Sequence, residues 1–297
     1  KIESHVEKLR VDTKVTVAKE DVILLVSHAG YIKRSSVRSF KASPIDENGL
    51  REDDYPILIQ QTNTLAHLFM FTNLGNVIYR PVHEITDARW KDTGEHISQT
   101  IGLAENEHII KAMVFDKLDQ PGTIIMGTSD GQIKQSAFTD YKPGSRYKSR
   151  TTTGIKLKSD EARLVSVDYY EPTNENRSLL VISHEGYAVR VDVADVPVTG
   201  LRSGGVRAIN LKDDDYATDY TLVSEGQNLA MITQRGAFKE VASSEIETGA
   251  RARRGELVIH RIKNHPHKIV DFLAYDPDKH DLLEIITDRP AFQDVAV

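Results

Sequence analysis

Two serine–histidine pairs stand out in this 297-residue sequence, because a hydroxyl next to an imidazole is the beginning of a nucleophilic site. The pairs are Ser27-His28 and Ser183-His184. A hydrolase also needs a third group that orients the histidine, and neighbours in sequence do not form such a triad. Each pair directly precedes a glycine at a turn signal. We therefore interpret both pairs as parts of turns.

An acidic run and a histidine cluster have the residue types of metal sites. Residues 213–215 are all aspartate, but they fall at a polar turn between two β-rich segments. His260, His265 and His267 lack the cysteines or acids that complete a zinc site. We interpret these groups as structural, and we predict neither catalytic residues nor a metal site.

Lysine and arginine are concentrated in a few segments, where binding of phosphate is the chemistry they favour. Residues 142–158 contain six Lys/Arg and no acid, residues 30–41 contain four and no acid, and residues 251–268 contain six with one acid. Gly, Ser and Thr between the cations let backbone N–H groups approach phosphate. Acids are dense elsewhere, which indicates a polyanion-binding face with a repulsive remainder. An ordinary solvated surface is the simpler alternative.

These segments belong to a sequence that repeats itself. An apolar run, a Ser/Thr-x-x-Gly turn and a short alternating run recur at steps of 45 to 56 residues. The apolar runs are rich in Val, Ile and Leu and end at a turn, which predicts β-hairpins in which glycine supplies a positive φ. The positions that mark the repeat are Gly30, Gly75, Gly131, Gly186, Gly236 and, in a worn copy, Pro290.

A second pair of β-rich arms follows each hairpin, so each repeat has about four strands in about 50 residues, the size of a propeller blade. We predict an all-β fold of six four-stranded antiparallel blades, the last incomplete, with very little helix. Residues 1–14 are expected to form a lead-in and residues 15–297 a single domain. Loops that carry the cations occupy equivalent places on successive blades, so the positive charge forms a band around the disc.

Composition excludes several classes of protein. The absence of cysteine excludes disulfide scaffolds, thiol catalysis and cysteine-ligated metals. With 38 Lys+Arg against 44 Asp+Glu, the net charge of −6 argues against a uniformly basic surface but permits a basic stripe. No apolar run approaches the length of a membrane helix, and the start KIESHVEKLRVD lacks a signal-peptide core. We expect a cytoplasmic protein.

The hairpins also carry a family resemblance. The stretch EDVILLVSHAGYIKRSSVRSF and the repeated T-x-x-G-x-(V/I)-x-R hairpins resemble the C-terminal domain of the A subunit of bacterial type IIA topoisomerases. The resemblance implies a β-pinwheel, in which adjacent blades exchange strands and double-stranded DNA bends around a basic rim. It also implies two protein partners, the N-terminal part of the same subunit together with the ATPase B subunit. In this family the catalytic residues, ATP and Mg²⁺ act outside the domain, so we expect no cofactor and no membrane partner.

The loop of the first blade separates two branches of the family. Gyrase A carries a box rich in glutamine, arginine and glycine there, which is needed for wrapping DNA. Residues 40–54 instead include Pro44, Asp46 and Glu47 and contain no such box. This departure favours the topoisomerase IV branch and a partial bend of the DNA. The wording of the first hairpin is similar to the form found in Gram-positive bacteria.

The resemblance and the charge pattern together predict a non-catalytic, DNA-bending module that guides decatenation or relaxation. Base readout is not expected, because nothing resembles a recognition helix. The alternatives are a gyrase-type wrapping domain, a propeller that binds protein, and a propeller enzyme with a site in its channel. The predicted DNA-binding residues are Lys33, Arg34, Arg38, Arg80, Lys134, Lys142, Arg146, Lys148, Arg150, Arg190, Arg202, Arg207, Lys239, Arg251, Arg253 and Arg254.

Overall fold

The computed structural model describes residues 16–44, 46–173, 175–279, 282–285 and 293–296. Strands dominate these residues. In chain order they are β1 (Asp21–Ser27), β2 (Tyr31–Ser36), β3 (Pro56–Asn63), β4 (His67–Thr72), β5 (Asn76–Pro81), β6 (Glu95–His96), β7 (Ile109–Phe115), β8 (Thr123–Thr128), β9 (Gln132–Ala137), β10 (Thr152–Thr153), β11 (Leu164–Tyr170), β12 (Arg177–Ser183), β13 (Tyr187–Asp192), β14 (Val206–Arg207), β15 (Ala217–Ser224), β16 (Asn228–Thr233), β17 (Phe238–Ala242), β18 (Glu256–Leu257), β19 (Ile269–Tyr275), β20 (Leu282–Ile285) and β21 (Gln293–Ala296).

Helical structure is sparse, as predicted. One short helix, α1 (Val37–Lys41), follows β2. Single 3₁₀ turns account for the remaining helical structure of the described residues, at Val82–Glu84, Ile97–Gln99, Phe138–Tyr141, Val193–Asp195 and Ser243–Glu245. Nowhere in the described part of the chain is a helix long and apolar enough to cross a membrane.

The Ser/Thr-x-x-Gly motif fixes the turn of each hairpin. Ser27 Oγ accepts a hydrogen bond from Tyr31 N at 3.0 Å, and Ser183 Oγ accepts one from Tyr187 N at 3.1 Å. Gly30 has a φ of 106°, a region in which a side chain would be strained. The two serines therefore act as caps of turns, as the sequence indicated. The same contact is made by Thr72, Thr128 and Thr233.

The strands form a series of antiparallel sheets. The first four sheets have the strand orders β3-β1-β2-β6, β10-β5-β4-β7, β11-β8-β9-β14 and β15-β12-β13-β18. In each of them the two-residue edge strand comes from the loop after the hairpin of the next blade, so adjacent blades exchange strands. The fifth sheet contains β17-β16-β19 among the described residues, and β20 pairs with β21 as the last hairpin. The predicted all-β, six-bladed pinwheel is confirmed, with four strands in each of the first four blades.

Hydrogen bonds at the hairpin turns connect each blade to the next. His28 N donates to Tyr55 O of its own blade at 2.9 Å, and His28 O accepts from Ile109 N of the second blade at 3.1 Å. The third strands of successive blades (β3, β7, β11, β15 and β19) contact one another in turn. They therefore surround the axis of the disc, and the exchanged strands lie at its perimeter.

The hydrophobic core is divided among the junctions between blades. One cluster joins Leu24 of β1 to Met70 of β4, and the next joins Phe69 of β4 to Met126 of β8. The loop that the second blade sends to the first carries Trp90, whose ring meets that of Phe40 edge-on at 4.7 Å. Because one four-stranded sheet cannot cover its own faces, stacking of neighbours provides the burial.

The predicted domain boundaries remain predictions. The lead-in at residues 1–14 and the worn turn at Pro290 lie outside the described residues.

Candidate nucleic-acid interface

The loop at residues 142–158 brings cations to the perimeter, because it contains β10, the edge strand of the second sheet. Thr152 of β10 pairs with Val77 of β5. Lys142, Arg146 and Arg150 precede this strand and are exposed. The described contacts give their side chains no partner, so their charges are available to a ligand.

Lys148 of the same loop has a partly neutralised charge. Its Nζ lies 3.3 Å from Oε2 of Glu84. The hydroxyl of Tyr147 donates to the same carboxylate at 2.8 Å, and the Tyr147 ring meets the Tyr79 ring edge-on at 5.1 Å. These contacts attach the loop of the third blade to the second blade.

Arg202 and Arg207 extend the basic perimeter to the third sheet. Arg207 lies on the edge strand β14, which pairs with β9 through Gln132, and both arginines are exposed. The backbone carbonyl of Arg207 accepts a hydrogen bond from Arg251 Nη1 at 3.0 Å. The loops of the fourth and fifth blades therefore meet at the perimeter.

Arg251, Arg253 and Arg254 are half-buried just before the edge strand β18. Arg251 Nε donates to Asp195 O at 2.8 Å, and Arg253 Nη2 donates to Arg190 O at 3.4 Å. The guanidinium groups of Arg251 and Arg253 thus bind backbone of the preceding blade while their side chains remain partly exposed.

An aromatic ring organises two arginines at the fourth sheet. The guanidinium carbon of Arg254 lies 4.2 Å from the ring centroid of Tyr187, and that of Arg261 lies 5.3 Å away. Arg261 Nη2 also donates to the Tyr187 hydroxyl at 3.0 Å. Sequence reasoning missed Tyr187 and Arg261, although an aromatic residue after the hairpin glycine opposite a basic run was an available signal.

Lys33 and Lys134, by contrast, point into the protein and are 0% exposed. Lys33 Nζ donates to Asn48 O and to Asp92 O, each at 2.6 Å, and to Trp90 O. Burial lowers the pKa of each amine to about 8, against the opposing effect of a nearby aspartate. Both remain predicted site residues, but their amines are occupied inside the fold.

Four more of the predicted residues bind backbone carbonyls. Arg34 Nε donates to Ile85 O at 2.8 Å. Arg80 is 6% exposed, and burial lowers its pKa. Arg190 and Lys239 are half-buried and donate to Ser243 O and Val258 O. The structure therefore separates the predicted site into inward-pointing and exposed cations.

The loop of the first blade presents both signs of charge. Arg38 is exposed on α1, while Pro44, Asp46 and Glu47 are exposed further along the loop. Thr93 Oγ1 donates to Gly49 O at 2.9 Å, which joins this loop to the loop that the second blade sends across. Exposed acids thus lie in the loop for which the family resemblance predicted the absence of a cationic box.

The acidic run at residues 213–215 has a structural role. Asp215 Oδ1 accepts hydrogen bonds from Glu185 N and Tyr216 N, each at 2.9 Å. Asp54 makes the equivalent contacts in the first blade, to Ala29 N and its neighbour. Among the residues that the structure describes, no group of three or more His, Asp or Glu side chains is arranged to hold a metal ion.

Comparison with known families decides the relationship. The family described as "DNA gyrase C-terminal domain, beta-propeller" matches residues 21–44, 66–116, 122–169 and 177–219. The chain belongs to this family. The matched segments cover strands of the first four blades of this gyrase-type C-terminal domain.

Members of the family with curated names refine the relationship. The chain is 41% identical over 274 residues to the A subunit of DNA topoisomerase 4 from Streptococcus pneumoniae, a match that covers 92% of the chain and 32% of that protein. It is 35% identical to the Bacillus subtilis protein of the same name, over 92% of the chain and 33% of that protein. The chain therefore spans about a third of the length of these relatives, and the predicted resemblance to the Gram-positive form is confirmed.

Solved structures agree with the topoisomerase IV branch of this gyrase-type family. The crystal structure of the C-terminal domain of DNA topoisomerase IV matches with a TM-score of 0.84 and 34% identity, over 94% of the chain and 84% of that structure. The structure of a DNA gyrase A C-terminal domain matches with a TM-score of 0.64 and 23% identity, over 90% of the chain and 86% of that structure, which shows a common fold.

Proposed function

We propose that this chain binds double-stranded DNA along its perimeter, without base specificity, as the C-terminal domain of the A subunit of a topoisomerase IV. The observation that carries the proposal is the position of exposed or half-buried Arg and Lys residues beside the edge strands of three consecutive sheets, β10, β14 and β18. Cations spaced along a curved edge neutralise successive phosphates and release counterions. The charge pattern supports this although the whole chain carries −6.

The proposed contacts are the exposed or half-buried cations of the perimeter. Readout of bases is not part of the proposal, because the longest helix among the described residues has five residues and cannot fill a major groove. The proposed contact residues are Arg38, Lys142, Arg146, Lys148, Arg150, Arg202, Arg207, Arg251, Arg253 and Arg254.

The first blade limits how far DNA follows the edge. Its exposed Asp46 and Glu47 repel phosphate, whereas the loops of the third to fifth blades attract it. We infer that DNA is bent along part of the perimeter and not wrapped around it. Bending at this edge favours curved or crossed segments over straight DNA.

The relatives named as A subunits of DNA topoisomerase 4 suggest the wider role. We propose that the domain guides decatenation and relaxation by presenting DNA to catalytic machinery elsewhere in the enzyme. That machinery comprises the N-terminal part of the same subunit together with the ATPase B subunit, with ATP and Mg²⁺ acting there and no cofactor bound by this domain. Such an enzyme works on the chromosome in the bacterial cytoplasm.

The test is DNA binding measured across salt concentration. Fluorescence anisotropy with a labelled duplex compares the unaltered protein with a variant in which Arg146, Lys148 and Arg150 are all alanine. Each lost phosphate contact should reduce the log–log salt slope by about 0.9. Circular dichroism should stay native, because exposed loop residues contribute little to stability.

A matched control removes a cation away from the edge strands. Lys117 is exposed in the turn that joins the inner strand β7 to β8. Lys117→Ala should leave affinity and slope unchanged. Equal effects of the two variants, or no effect of the triple variant on a folded protein, would refute the proposed interface.

A further inference from the structure

One cation at each of four successive junctions between blades points inward. Lys33 and Lys134 are 0% exposed, Arg80 is 6% exposed and Arg190 is half-buried. They lie on the second strands of their hairpins, β2, β9, β5 and β13. All four were predicted from sequence as DNA contacts, yet each donates to backbone carbonyls of the loop that the next blade sends across.

The two lysines make these contacts with their ammonium groups. Lys134 Nζ donates to Gly200 O at 3.2 Å and to Leu201 O at 2.6 Å, directly before the exposed Arg202. Lys33 Nζ makes its equivalent contacts in the loop of the second blade, including Asp92 O at 2.6 Å.

Arg80 binds the most basic loop of the chain. Its Nη1 donates to Tyr147 O at 3.0 Å and its Nη2 to Lys148 O at 3.1 Å. Nη1 also donates to Tyr79 O, and Nη2 also donates to Thr100 Oγ1, each at 2.7 Å. The four N–H groups of its two Nη atoms therefore all have acceptors within the protein.

Arg190 repeats the arrangement at the next junction but one. Its Nη1 donates to Ser243 O at 2.8 Å and to Ile246 O at 3.3 Å, while its Nε donates to Ser178 Oγ at 2.7 Å. Ser243 begins the 3₁₀ turn of the fifth blade and Ile246 directly follows it, upstream of Arg251 in the same loop.

The chemistry explains why a cation occupies this position. An irregular loop lacks the partners that a sheet gives to its carbonyls, and a buried carbonyl without a hydrogen-bond partner destabilises the fold. Hydrogen bonds from a charged donor are roughly twice as strong as neutral ones. When the carbonyls of Tyr147 and Lys148 face inward to Arg80, the neighbouring Arg146 and Arg150 are left exposed.

We propose that these four inward cations are positioning residues for DNA binding. Each holds an exchanged loop by its carbonyls so that the exposed cations of that loop meet phosphate, and none of the four touches DNA. This inference rests on the proposed DNA-binding function and changes the role of residues that the charge pattern alone assigns to the interface.

A double-mutant cycle separates positioning from direct contact. Arg80→Met in the otherwise unaltered protein should weaken binding of a labelled duplex by about tenfold. In a background that already carries Lys142→Ala, Arg146→Ala, Lys148→Ala and Arg150→Ala, the same change should have little further effect, because the loop then carries none of its proposed phosphate contacts. Additive losses would show that Arg80 contacts DNA itself and would overturn the proposal.

Hydrogen exchange gives a readout that is independent of DNA. Arg80→Met should raise amide exchange in residues 142–153, and Lys134→Met should raise it in residues 199–207, each with the other loop unchanged. Arg80→Lys, which keeps the charge, should restore part of the protection and of the affinity. Unchanged local exchange in a folded variant would overturn the proposal.

The two proposals fail differently. If the unaltered protein does not bind the duplex, the DNA-binding function falls and the positioning role for DNA falls with it, whatever the exchange shows. If the unaltered protein binds and both methionine variants bind as tightly, only the positioning role is overturned. Should Arg80→Met fail to fold, Lys134→Met carries the same cycle with Arg202→Ala and Arg207→Ala.

Discussion

The ring of Tyr220 on β15 lies so close to Gly127 on β8 that a Cβ at Gly127 would overlap ring atom Cδ2. The Tyr220 hydroxyl donates to Thr128 O at 2.7 Å, and the side chain is 2% exposed. This pair joins the inner strand of the fourth blade to the first strand of the third blade.

Gly127→Ala should destabilise the domain, because the ring must move out of a packed junction. Overpacking of this kind costs about 1–3 kcal/mol. Thermal unfolding should show a clear fall in Tm. Gly102→Ala is the matched control, since nothing lies within 4 Å of its added Cβ; an equal fall in both variants would contradict the packing argument.

Asp219 gives the domain a pH-dependent stability. Burial and the neighbouring carboxyl of Asp271 raise its pKa well above the ordinary 3.8. A carboxyl whose pKa is raised by folding makes its full contribution to folding stability below its unfolded-state pKa. That contribution is lost as the pH rises through the folded-state pKa. Asp219→Asn should therefore raise the Tm at pH 7, with a gain that shrinks in acid. A gain that grows in acid would contradict this assignment.

Trp90, the single tryptophan, reports on Lys33. The Nζ of Lys33 lies 4.7 Å from the centroid of its ring, and burial lowers the pKa of Lys33 to about 8. Emission should change with a midpoint near pH 8, below the ordinary tyrosine range near 10. Lys33→Met should abolish this transition; its survival in that variant would assign it to another group.

Tyr187 should strengthen DNA binding through the two arginines on its ring. Removing the ring with Tyr187→Leu loses cation–π contacts of about 0.5–1 kcal/mol each at an exposed site. We expect DNA affinity to fall about threefold. Tyr187→Phe keeps the ring and loses only the hydrogen bond from Arg261, so it should have a smaller effect; the reverse order would show that the hydroxyl is what matters.

We expect the domain to wrap little DNA, because the loop of its first blade exposes acids. The isolated domain should bind linear DNA yet leave little change in linking number when nicked circles are bound and ligated. The reason is that Asp46 and Glu47 are exposed where a wrapping domain is cationic. A strong, protein-dependent shift of the topoisomers would show that wrapping does not need the cationic box.

The hairpins were predictable because their causes are local. Glycine at positive φ and the hydroxyl three residues earlier lie within one turn, so Ser27 and Gly30 identify the first hairpin. The direction of Lys33 was not predictable in this way. Trp90, which accepts a hydrogen bond from it, lies in a loop 57 positions away. Without knowledge of that loop, a lysine on a strand is predicted to be exposed.

The charge pattern identified the basic segments, but it did not show which cations are exposed and which point into the fold. Arg146 and Arg80 are equivalent by composition, yet one is exposed and the other donates to four acceptors inside the fold. Only tertiary contacts between successive blades distinguish them, and these contacts have no short-range signature.

Exchange of edge strands sets an order on biosynthesis. The first sheet begins at Asp21 but is completed only by Glu95 and His96, after the second hairpin has been made. At about 5–20 residues per second, a ribosome leaves the edge of each new sheet open for seconds while the following repeat emerges. Open edges can pair with other chains. Each blade therefore protects its predecessor from aggregation, and slow translation between repeats would prolong that exposure.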